Sequence, residues 1–343
     1  MPTRRSPHPA PDNAELSLRP RPDQLASVQE AILAWFAENR RDLPWRHTRD
    51  PYKILVSEVM LQQIQVSRAI PFYHAFLARF PTLESLATAP IADAIRVWGD
   101  LGRYKRVVNL HRTARLILTD HGGRVPSDVA VLRSLPGIGP YTAGAVACFA
   151  YELDTAFVDT NMRRVLHRLF LGADIPKPTA SDAQLLRLAA VAVPAGHGWS
   201  WNQGLMEFGA LHCTARRPAC TGCPVQTHCR AFPAIQTALL TQRAVRPASK
   251  PAYRYEDSNR FYRGRVLARL RDHSLTADAA HGVPLDMLGT QIRADFAASD
   301  VPWLSTVVAS LAKDGLAVAE ERPAYDAGAD ADAEQIEVRV RLP

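Results

Sequence analysis

Four cysteines crowded into one short stretch place the strongest constraint on how this chain folds. Cys213, Cys220, Cys223 and Cys229 lie within 17 residues, whereas the fifth cysteine, Cys148, stands in a run of small apolar residues. In a reducing compartment this spacing favours one metal centre over disulfides, and four thiolates can hold either tetrahedral zinc or an iron–sulfur cluster. The spacing therefore predicts a compact metal-binding loop, with Cys148 as an ordinary core residue.

Helical periodicity dominates the chain from Asp23 to about Phe232, and strand signals are almost absent there. This segment is predicted to be all-α. The stretch Ile54–Tyr73 is apolar on most faces, which predicts one buried helix. A first helix is marked by Val28, Ile32, Trp35 and Phe36, and it ends before Leu43. The other helices are predicted over residues 83–87, 91–98, 105–121, 129–134, 141–151, 162–170, 180–193 and 201–211.

The two ends of the chain differ from this helical body. Residues 1–22 hold six prolines and few apolar side chains, which predicts a disordered tail. Residues 233–255 mix polar, basic and proline residues and are interpreted as a linker. Residues 256–343 predict three helices, at 261–270, 285–292 and 304–314, and then strands at 316–320 and 336–340. This pattern describes a small C-terminal α+β, winged-helix-like domain, whose wing would be the acidic turn Asp326–Glu334.

Length and charge narrow the functional class. A chain of 343 residues has room for about two domains. Lys and Arg number 41 against 34 acidic residues, for a net charge of +7; residues 301–343 are acidic, so residues 1–300 carry +11. This basic body suggests a polyanionic partner such as nucleic acid, although a solvated surface with a mild excess of charge fits as well. No apolar run approaches the roughly 18 residues of a membrane span, and no secretory signal is visible. We therefore expect a cytoplasmic protein without a membrane partner.

A glycine-containing turn between two predicted helices is the second strong signal. Residues 135–144 read Leu-Pro-Gly-Ile-Gly-Pro-Tyr-Thr-Ala-Gly. Gly137 and Gly139 allow a tight turn, and the N–H groups at the start of the helix from Tyr141 form a ready anion site. A helix–hairpin–helix grips a DNA phosphate in this way without reading sequence. An ordinary helix–helix turn is the alternative.

Two acidic residues stand in positions that favour acid–base chemistry. Glu58 is surrounded by apolar neighbours, and burial there predicts a raised pKa suited to donating a proton. Gln62 follows one helical turn later and can hydrogen-bond a base edge. Asp159 stands just before a helix, where a carboxylate stays ionised and can stabilise a cation. A structural buried glutamate and a helix N-cap are the alternatives for Glu58 and Asp159.

Together these motifs resemble the MutY family of adenine DNA glycosylases, within the helix–hairpin–helix superfamily that also includes endonuclease III. The resemblance covers about residues 25–232 and is carried, in order, by Leu43–Arg46, Ser57–Gln63, Leu135–Ala143, Val158–Asn161 and the four-cysteine loop. It implies an all-α helix–hairpin–helix DNA glycosylase domain in which a DNA cleft separates a six-helix barrel from an iron–sulfur subdomain. It also implies a [4Fe–4S] cluster on the four cysteines.

The resemblance further implies a reaction. Family members flip adenine mispaired with 8-oxoguanine or guanine out of double-stranded DNA and remove it. Glu58 matches the general acid that protonates adenine N7, and Asp159 matches the carboxylate that stabilises the sugar oxocarbenium ion, a logic shared with glycosidases. The remaining matches are Asn161 and Tyr141 around Asp159 and the sugar, Arg46 and Glu207 in the adenine pocket, and Gln63 at the base stack.

Several positions depart from the family pattern. Tyr141 occupies the position where endonuclease III has the lysine that forms a Schiff base, which predicts a monofunctional glycosylase. Arg103 replaces the usual wedge tyrosine, Ile64 replaces a common threonine, and Thr160 replaces a glycine. The C-terminal segment does not resemble the Nudix-like domain found in many members. Arg103, Ile64 and the missing Nudix pattern bear on the base opposite adenine.

Three rival interpretations stay open at this point. The same chemistry can act on another base, such as thymine mispaired with guanine. An endonuclease III-like glycosylase/lyase is the second, and a non-catalytic iron–sulfur protein that only binds DNA is the third. We expect a monomer that acts on the nucleoid. For the C-terminal domain, lesion docking and partner docking are both open.

Overall fold

The computed structural model describes residues 20–244, 254–323 and 336–343, which form helices and one small antiparallel sheet. The segment 1–19 of the expected tail and the expected wing, residues 326–334, lie outside the described residues. In chain order the helices are α1 (Pro22–Asn39), α2 (Pro51–Leu61), α3 (Val66–Arg79), α4 (Leu83–Thr88), α5 (Ile91–Trp98), α6 (Lys105–Asp120), α7 (Val129–Ser134), α8 (Pro140–Tyr151), α9 (Thr160–Phe170), α10 (Asp182–Ala192), α11 (Gly198–Leu211), α12 (Ala234–Ala244), α13 (Asn259–His273), α14 (Leu285–Ile292) and α15 (Val301–Lys313). None of the described helices is long and apolar enough to cross a lipid bilayer.

The described residues divide into two compact units. The first comprises residues 20–51, 127–130 and 139–244, and the second comprises residues 52–126, 131–138, 254–323 and 336–343. In the first unit α11 packs against α1, with the Trp35 and Phe208 rings edge to face at 5.0 Å. α11 also approaches α9 closely. A Cβ at position 209 would lie 2.7 Å from the Cβ of Asn161, so only a glycine fits there.

The second unit has an aromatic core beneath its short helices. Phe76 of α3 lies between Phe80, at a ring distance of 5.1 Å, and Trp98, at 5.9 Å. The prediction of one helix over Ile54–Tyr73 is wrong, since α2 ends at Leu61 and α3 begins at Val66. The helix breaks because Gln63 adopts a left-handed backbone conformation with φ 60°, which an α-helix excludes.

The region after the cysteine loop also departs from expectation. Residues 234–244, interpreted as part of a linker, form α12. Ile235 and Leu239 on this helix pack with Ala231 in a small buried cluster, so its helical structure is stabilised by tertiary packing that the mixed composition conceals.

The C-terminal residues form three helices and a three-stranded sheet. β1 (Val283–Pro284), β2 (Val318–Pro323) and β3 (Ile336–Arg341) pair antiparallel in the order β1-β3-β2, with Val340 opposite both Val283 and Ala319. The three predicted helices and two predicted strands are present. The third strand was missed because two residues are too short for a periodic signal.

Candidate active site

Glu58 lies on α2, a helix that is buried on nearly all faces, and its carboxyl group is itself buried, with 4% of the residue exposed. Charged residues are rarely buried to this extent without a structural or chemical role. The sequence-based expectation of a buried Glu58 is therefore confirmed.

Arg106 of α6 closes the carboxyl end of α2. Its Nη1 donates to the carbonyl oxygens of Val59 at 3.0 Å, Met60 at 2.8 Å and Gln62 at 2.9 Å. Burial, with a contribution from the positive charge of Arg103, lowers the pKa of Arg106 to about 10, so the guanidinium stays protonated at neutral pH. This contact holds the turn that carries Gln62 and Gln63, and Gln63 is exposed.

Arg103 stands on a second strained turn of the same unit. Its φ of 50° is unusual for a residue other than glycine, and it follows Gly102, whose φ is 77°. The carbonyl oxygen of Gly102 accepts from Trp98 Nε1 at 2.9 Å and from Arg106 Nη2 at 3.2 Å, so the turn is held on two sides. The Arg103 side chain is exposed.

The glycine-containing turn lies between α7 and α8 as predicted. Gly137 has φ 76°, and a Cβ there would lie 2.8 Å from Asn109, so any side chain is excluded. Thr113 Oγ1 donates to the Pro136 carbonyl at 2.9 Å and anchors the turn to α6. Gly139 is the N-cap of α8, which begins at Pro140. The N–H groups in the first turn of a helix have no acceptor within the helix, so they can donate to a bound anion.

Tyr141 opens α8 and packs within the first unit. Its hydroxyl donates to Met206 Sδ at 3.7 Å, and its ring meets Phe157 edge to face at 5.4 Å. Phe157 in turn packs against Gly144, where a Cβ would lie 2.8 Å from the Phe157 side chain. The phenol is therefore held in one orientation by its neighbours.

Asp159 caps α9 and is the centre of a hydrogen-bond network. Its Oδ1 accepts from the Met162 N–H at 2.7 Å, and its Oδ2 accepts from Asn161 Nδ2 at 3.1 Å. Arg164 Nη2 donates to Asn161 Oδ1 at 2.9 Å, which fixes the amide orientation. Burial raises the pKa of Asp159 above its ordinary value, and the hydrogen bonds from Met162 and Asn161 oppose that shift. The expectation was that a carboxylate at the helix N-terminus stays ionised. Desolvation opposes this and is the larger effect on the pKa of Asp159.

Glu207 and Arg46 form a buried ion pair to which Arg41 also contributes. Arg41 donates from Nε and Nη2 to the two Glu207 oxygens, each at 2.7 Å, and Arg46 Nη2 donates to Glu207 Oε2 at 3.0 Å. Arg46 Nε also donates to Gln203 Oε1 at 3.0 Å. Although burial raises the pKa of Glu207, the hydrogen bonds from Arg41 and Arg46 outweigh it and hold the pKa at about 2. Glu207 is therefore a carboxylate at neutral pH, and it orients Arg46.

The four-cysteine loop follows α11 and is held by two arginines of α9. Arg164 Nε donates to the Cys213 carbonyl at 2.8 Å, and Arg168 Nη1 donates to the Cys213 sulfur at 3.7 Å and to the Thr214 carbonyl at 2.8 Å. Asp174 accepts from Arg168 Nε at 2.7 Å and neutralises its charge. Cys148, away from this loop, is fully buried in α8 as predicted.

All four loop cysteines line one small cavity whose other walls are mostly apolar. They are free thiols, and no group of three or more Cys, His, Asp or Glu side chains in residues 20–244, 254–323 and 336–343 is assembled at metal-binding distances. Burial raises the pKa of Cys223 to about 11 and also raises the pKa values of Cys220 and Cys229. The four cysteines line one cavity and Arg168 donates to Cys213, which supplies the ligand set of a thiolate-ligated metal centre. Binding of such a centre would displace the thiol protons.

Sequence reasoning missed the arginines that hold the site together. Arg41, Arg106 and Arg164 donate to oxygens of Glu207, Gln62 and Asn161, which were identified from the sequence. Arg168 donates to the sulfur of Cys213, another identified residue. The hydrophobic periodicity of the sequence does not indicate these contacts, because every partner except Asn161 lies far from its arginine along the chain. For Arg164 the spacing of three residues from Asn161 on one helix was a readable signal.

Comparison with known proteins shows the family to which the chain belongs. The profile described as "HhH-GPD superfamily base excision DNA repair protein" matches residues 56–190. The chain is 43% identical over 247 residues to the adenine DNA glycosylase of Mycolicibacterium smegmatis, which covers 70% of this chain and 79% of that protein. It is 39% identical over 233 residues to the adenine DNA glycosylase of Mus musculus, covering 65% of this chain and 45% of that protein.

A solved structure of a thermostable thymine-DNA glycosylase superposes with a TM-score of 0.57 at 33% identity, over 63% of this chain and 98% of that one. The helical fold and these matches define a base-excision DNA glycosylase of the helix–hairpin–helix superfamily. Within that class, the chain belongs to the adenine DNA glycosylase family.

Proposed function

We propose that the chain is a base-excision repair glycosylase that hydrolyses the bond between adenine and deoxyribose where adenine is mispaired with 8-oxoguanine or guanine. The observation that carries this proposal is a pair of carboxyl groups, buried at Glu58 and half-buried at Asp159, in a chain that is 43% identical over 247 residues to an adenine DNA glycosylase. Its substrate would be double-stranded DNA from which the adenine is flipped.

In the proposed reaction Glu58 and Asp159 have different roles. The Glu58 carboxyl group donates its proton to adenine N7, and the C1′–N9 bond breaks with its electron pair leaving on adenine. The Asp159 carboxylate stabilises the oxocarbenium ion left on the sugar. Water then adds at C1′ and loses a proton, which yields an abasic site and free adenine. Burial of Glu58 supports the first role, and the hydrogen bonds to Asp159 support the second because they favour its ionised form.

The other site residues would position substrate. Asn161 orients Asp159, and the Glu207 carboxylate presents Arg46 to the adenine pocket. Gln62 and Gln63 would contact the base stack, with Arg103 in the wedge position, and Gly137 and Gly139 would let the backbone approach a phosphate. Tyr141 cannot form a Schiff base, so the reaction would stop at the abasic site.

The cysteine loop would carry a [4Fe–4S] cluster on Cys213, Cys220, Cys223 and Cys229. A bound cluster would cross-link the loop and supply no step of the hydrolysis. In this proposal Arg168 donates to a Cys213 thiolate and offsets its negative charge.

For the remaining expectations, we propose a glycosylase domain over about residues 23–232 and a winged-helix-like domain over residues 256–343. Three helices and a small antiparallel sheet in the C-terminal region support the second assignment. We also propose a monomer that acts on the nucleoid in the cytoplasm.

An opposite-base panel tests the proposed activity. Purified protein is incubated with duplexes that carry adenine opposite 8-oxoguanine, guanine or cytosine, and alkali then cleaves any abasic site. We expect release of adenine opposite 8-oxoguanine and guanine but not opposite cytosine. A T·G duplex tests the second candidate, thymine excision, which the similarity to a thymine-DNA glycosylase favours. Release of thymine without release of adenine would replace the proposal by that candidate.

A further inference from the structure

A basic cleft of about 770 Å³ lies in the second unit, outside the catalytic residues. It is lined by the start of α6, the turn of Gln62 and Gln63, and α13 of the C-terminal region. Its walls carry six cations, against the two carboxylates of Asp100 and Asp314; the cations are Arg103, Lys105, Arg106, Arg260, Arg263 and Arg265.

Three of these cations are engaged in holding the protein together. Lys105 and Arg263 both contact Asp314, at 3.3 and 2.8 Å, which joins α6 to α13. Arg106 donates hydrogen bonds to the carbonyl oxygens at the end of α2. These contacts fix the walls of the cleft.

The other three cations are exposed towards solvent. Arg103, Arg260 and Arg265 have no carboxylate at ion-pair distance within the described part of the chain. Arg260 lies over the Tyr255 ring, with its guanidinium carbon 6.0 Å from the ring centroid, and Arg265 lies over the Phe261 ring at 5.7 Å. Aromatic support of this kind restrains a guanidinium while leaving its N–H groups available to a ligand.

The same cleft reaches the two strained turns of the site. Gln63 and Arg103 both line it, with φ values of 60° and 50°. Left-handed backbone at residues other than glycine costs about 1 kcal/mol or more and is concentrated at functional sites. The surface formed by Arg103, Arg260 and Arg265 is therefore continuous with the residues assigned to the base stack.

We propose that this cleft binds the sugar–phosphate backbone of the DNA duplex, with Arg260 and Arg265 of α13 as phosphate ligands. The inference rests on the proposed function, because it takes the polyanion that contacts Gln63 to be the substrate duplex. It adds a DNA contact from a helix that lies outside residues 56–190, the part matched by the superfamily profile. Exposed arginines without counter-ions fit a row of phosphates, which carry one negative charge per nucleotide.

The experiment compares two charge reversals on the same helix. Arg265→Glu alters the cleft, whereas Arg269→Glu alters another exposed residue, which lines a different cavity and whose Nη1 lies 3.8 Å from Asp272 Oδ2. Affinity for a fully paired duplex, which contains no target base, is measured by anisotropy at several salt concentrations. The double variant Arg260→Gln/Arg265→Gln removes both proposed contacts without reversing charge. Thermal unfolding checks that each variant is folded.

We expect the double variant to lose about tenfold in affinity near 0.1 M salt, and its slope of log K against log salt to fall by about 2, since each phosphate contact contributes about 0.9. Arg265→Glu should lose more affinity than Arg269→Glu by a similar factor. Equal effects of the two reversals, or no effect of either, would overturn the proposal.

Two further probes separate other anionic ligands. If the cleft variants lose affinity for inorganic pyrophosphate or for a poly-glutamate peptide but keep wild-type affinity for the duplex, the DNA assignment is wrong. Adenine release by the unaltered protein is scored separately. Absence of adenine release would contradict the proposed function even if the cleft variants lose affinity for the duplex. If adenine is released, the binding measurements alone decide whether the cleft binds DNA.

Discussion

Asn161 donates a hydrogen bond from Nδ2 to Oδ2 of Asp159 at 3.1 Å, and its own oxygen accepts from Arg164. Arg164 also donates to the carbonyl oxygen of Cys213, at the start of the cysteine loop. Two side chains, Asn161 and Arg164, therefore connect the carboxyl group proposed to stabilise the sugar cation with the loop proposed to hold the cluster. Neither motif alone indicates this connection.

Replacing Asn161 should shift the pH dependence of excision. The Asn161 hydrogen bond lowers the pKa of Asp159, so Asn161→Ala raises that pKa further. Asp159 then becomes protonated at a higher pH, and the acidic limb of the single-turnover rate should move upwards by about one pH unit. Ser181→Ala, which removes the N-cap of the neighbouring helix α10, is the control and should leave the limb in place. An unchanged limb in Asn161→Ala would contradict the role given to this amide.

Glu207→Gln should destabilise the fold in a pH-dependent way. A carboxyl group with its pKa lowered from 4.5 to about 2 contributes roughly 3 kcal/mol to the free energy of unfolding at neutral pH. That contribution is fully present above the unfolded-state pKa and is lost as the pH falls through the folded-state pKa. In denaturant titrations the difference from wild type should therefore shrink between about pH 4.5 and 2.

The exposed ion pair of Glu152 with Arg49 supplies the matched control. Its carboxyl side chain is 62% exposed, so Glu152→Gln should cost less than about 1 kcal/mol at any pH. A difference for Glu207→Gln that is constant across pH would show that packing, rather than the ion pair, is the cause.

Iron analysis tests the cofactor. Holoprotein should contain about four iron and four sulfide per chain, whereas a zinc site would contain about one metal ion and no sulfide. Cys223→Ala should lower the iron content sharply because it removes a ligand. Cys148→Ala should retain it, since Cys148 is buried in α8 and does not line the cysteine cavity. Full iron content in Cys223→Ala would exclude this residue as a ligand.

Tyr141→Lys should add a lyase activity that the unaltered protein lacks. A lysine amine at this position can attack C1′ of the sugar and form a Schiff base, which borohydride reduces to a covalent adduct. Tyr141→Phe is the control, because it keeps the ring packed against Phe157 and supplies no amine. Adduct formation by unaltered protein would show that another amine serves as nucleophile, and the monofunctional assignment would fall.

Local patterns were sufficient to predict most of the helices, the cap at Asp159 and the burial of Glu58, because periodicity and capping are short-range signals. The break at Gln63 was not predictable in this way, since Arg106 holds that turn from 44 residues away along the chain. The helix at residues 234–244 was not predictable either, because it is stabilised by the packing of Ile235 and Leu239 in a buried cluster. Charge pairs between distant residues, such as Arg41 with Glu207, leave no periodic trace in the sequence.

The proposed chemistry depends on the Glu58 and Asp159 carboxyl groups, and single-turnover excision by variants with the isosteric amides tests their roles most directly. Glu58→Gln removes the proton donor and Asp159→Asn removes the negative charge, while both keep side-chain volume. We expect each variant to bind an A·8-oxoguanine duplex within about threefold of wild type but to release adenine at least about 100-fold more slowly. Adenine release at the wild-type rate by either variant would contradict these roles.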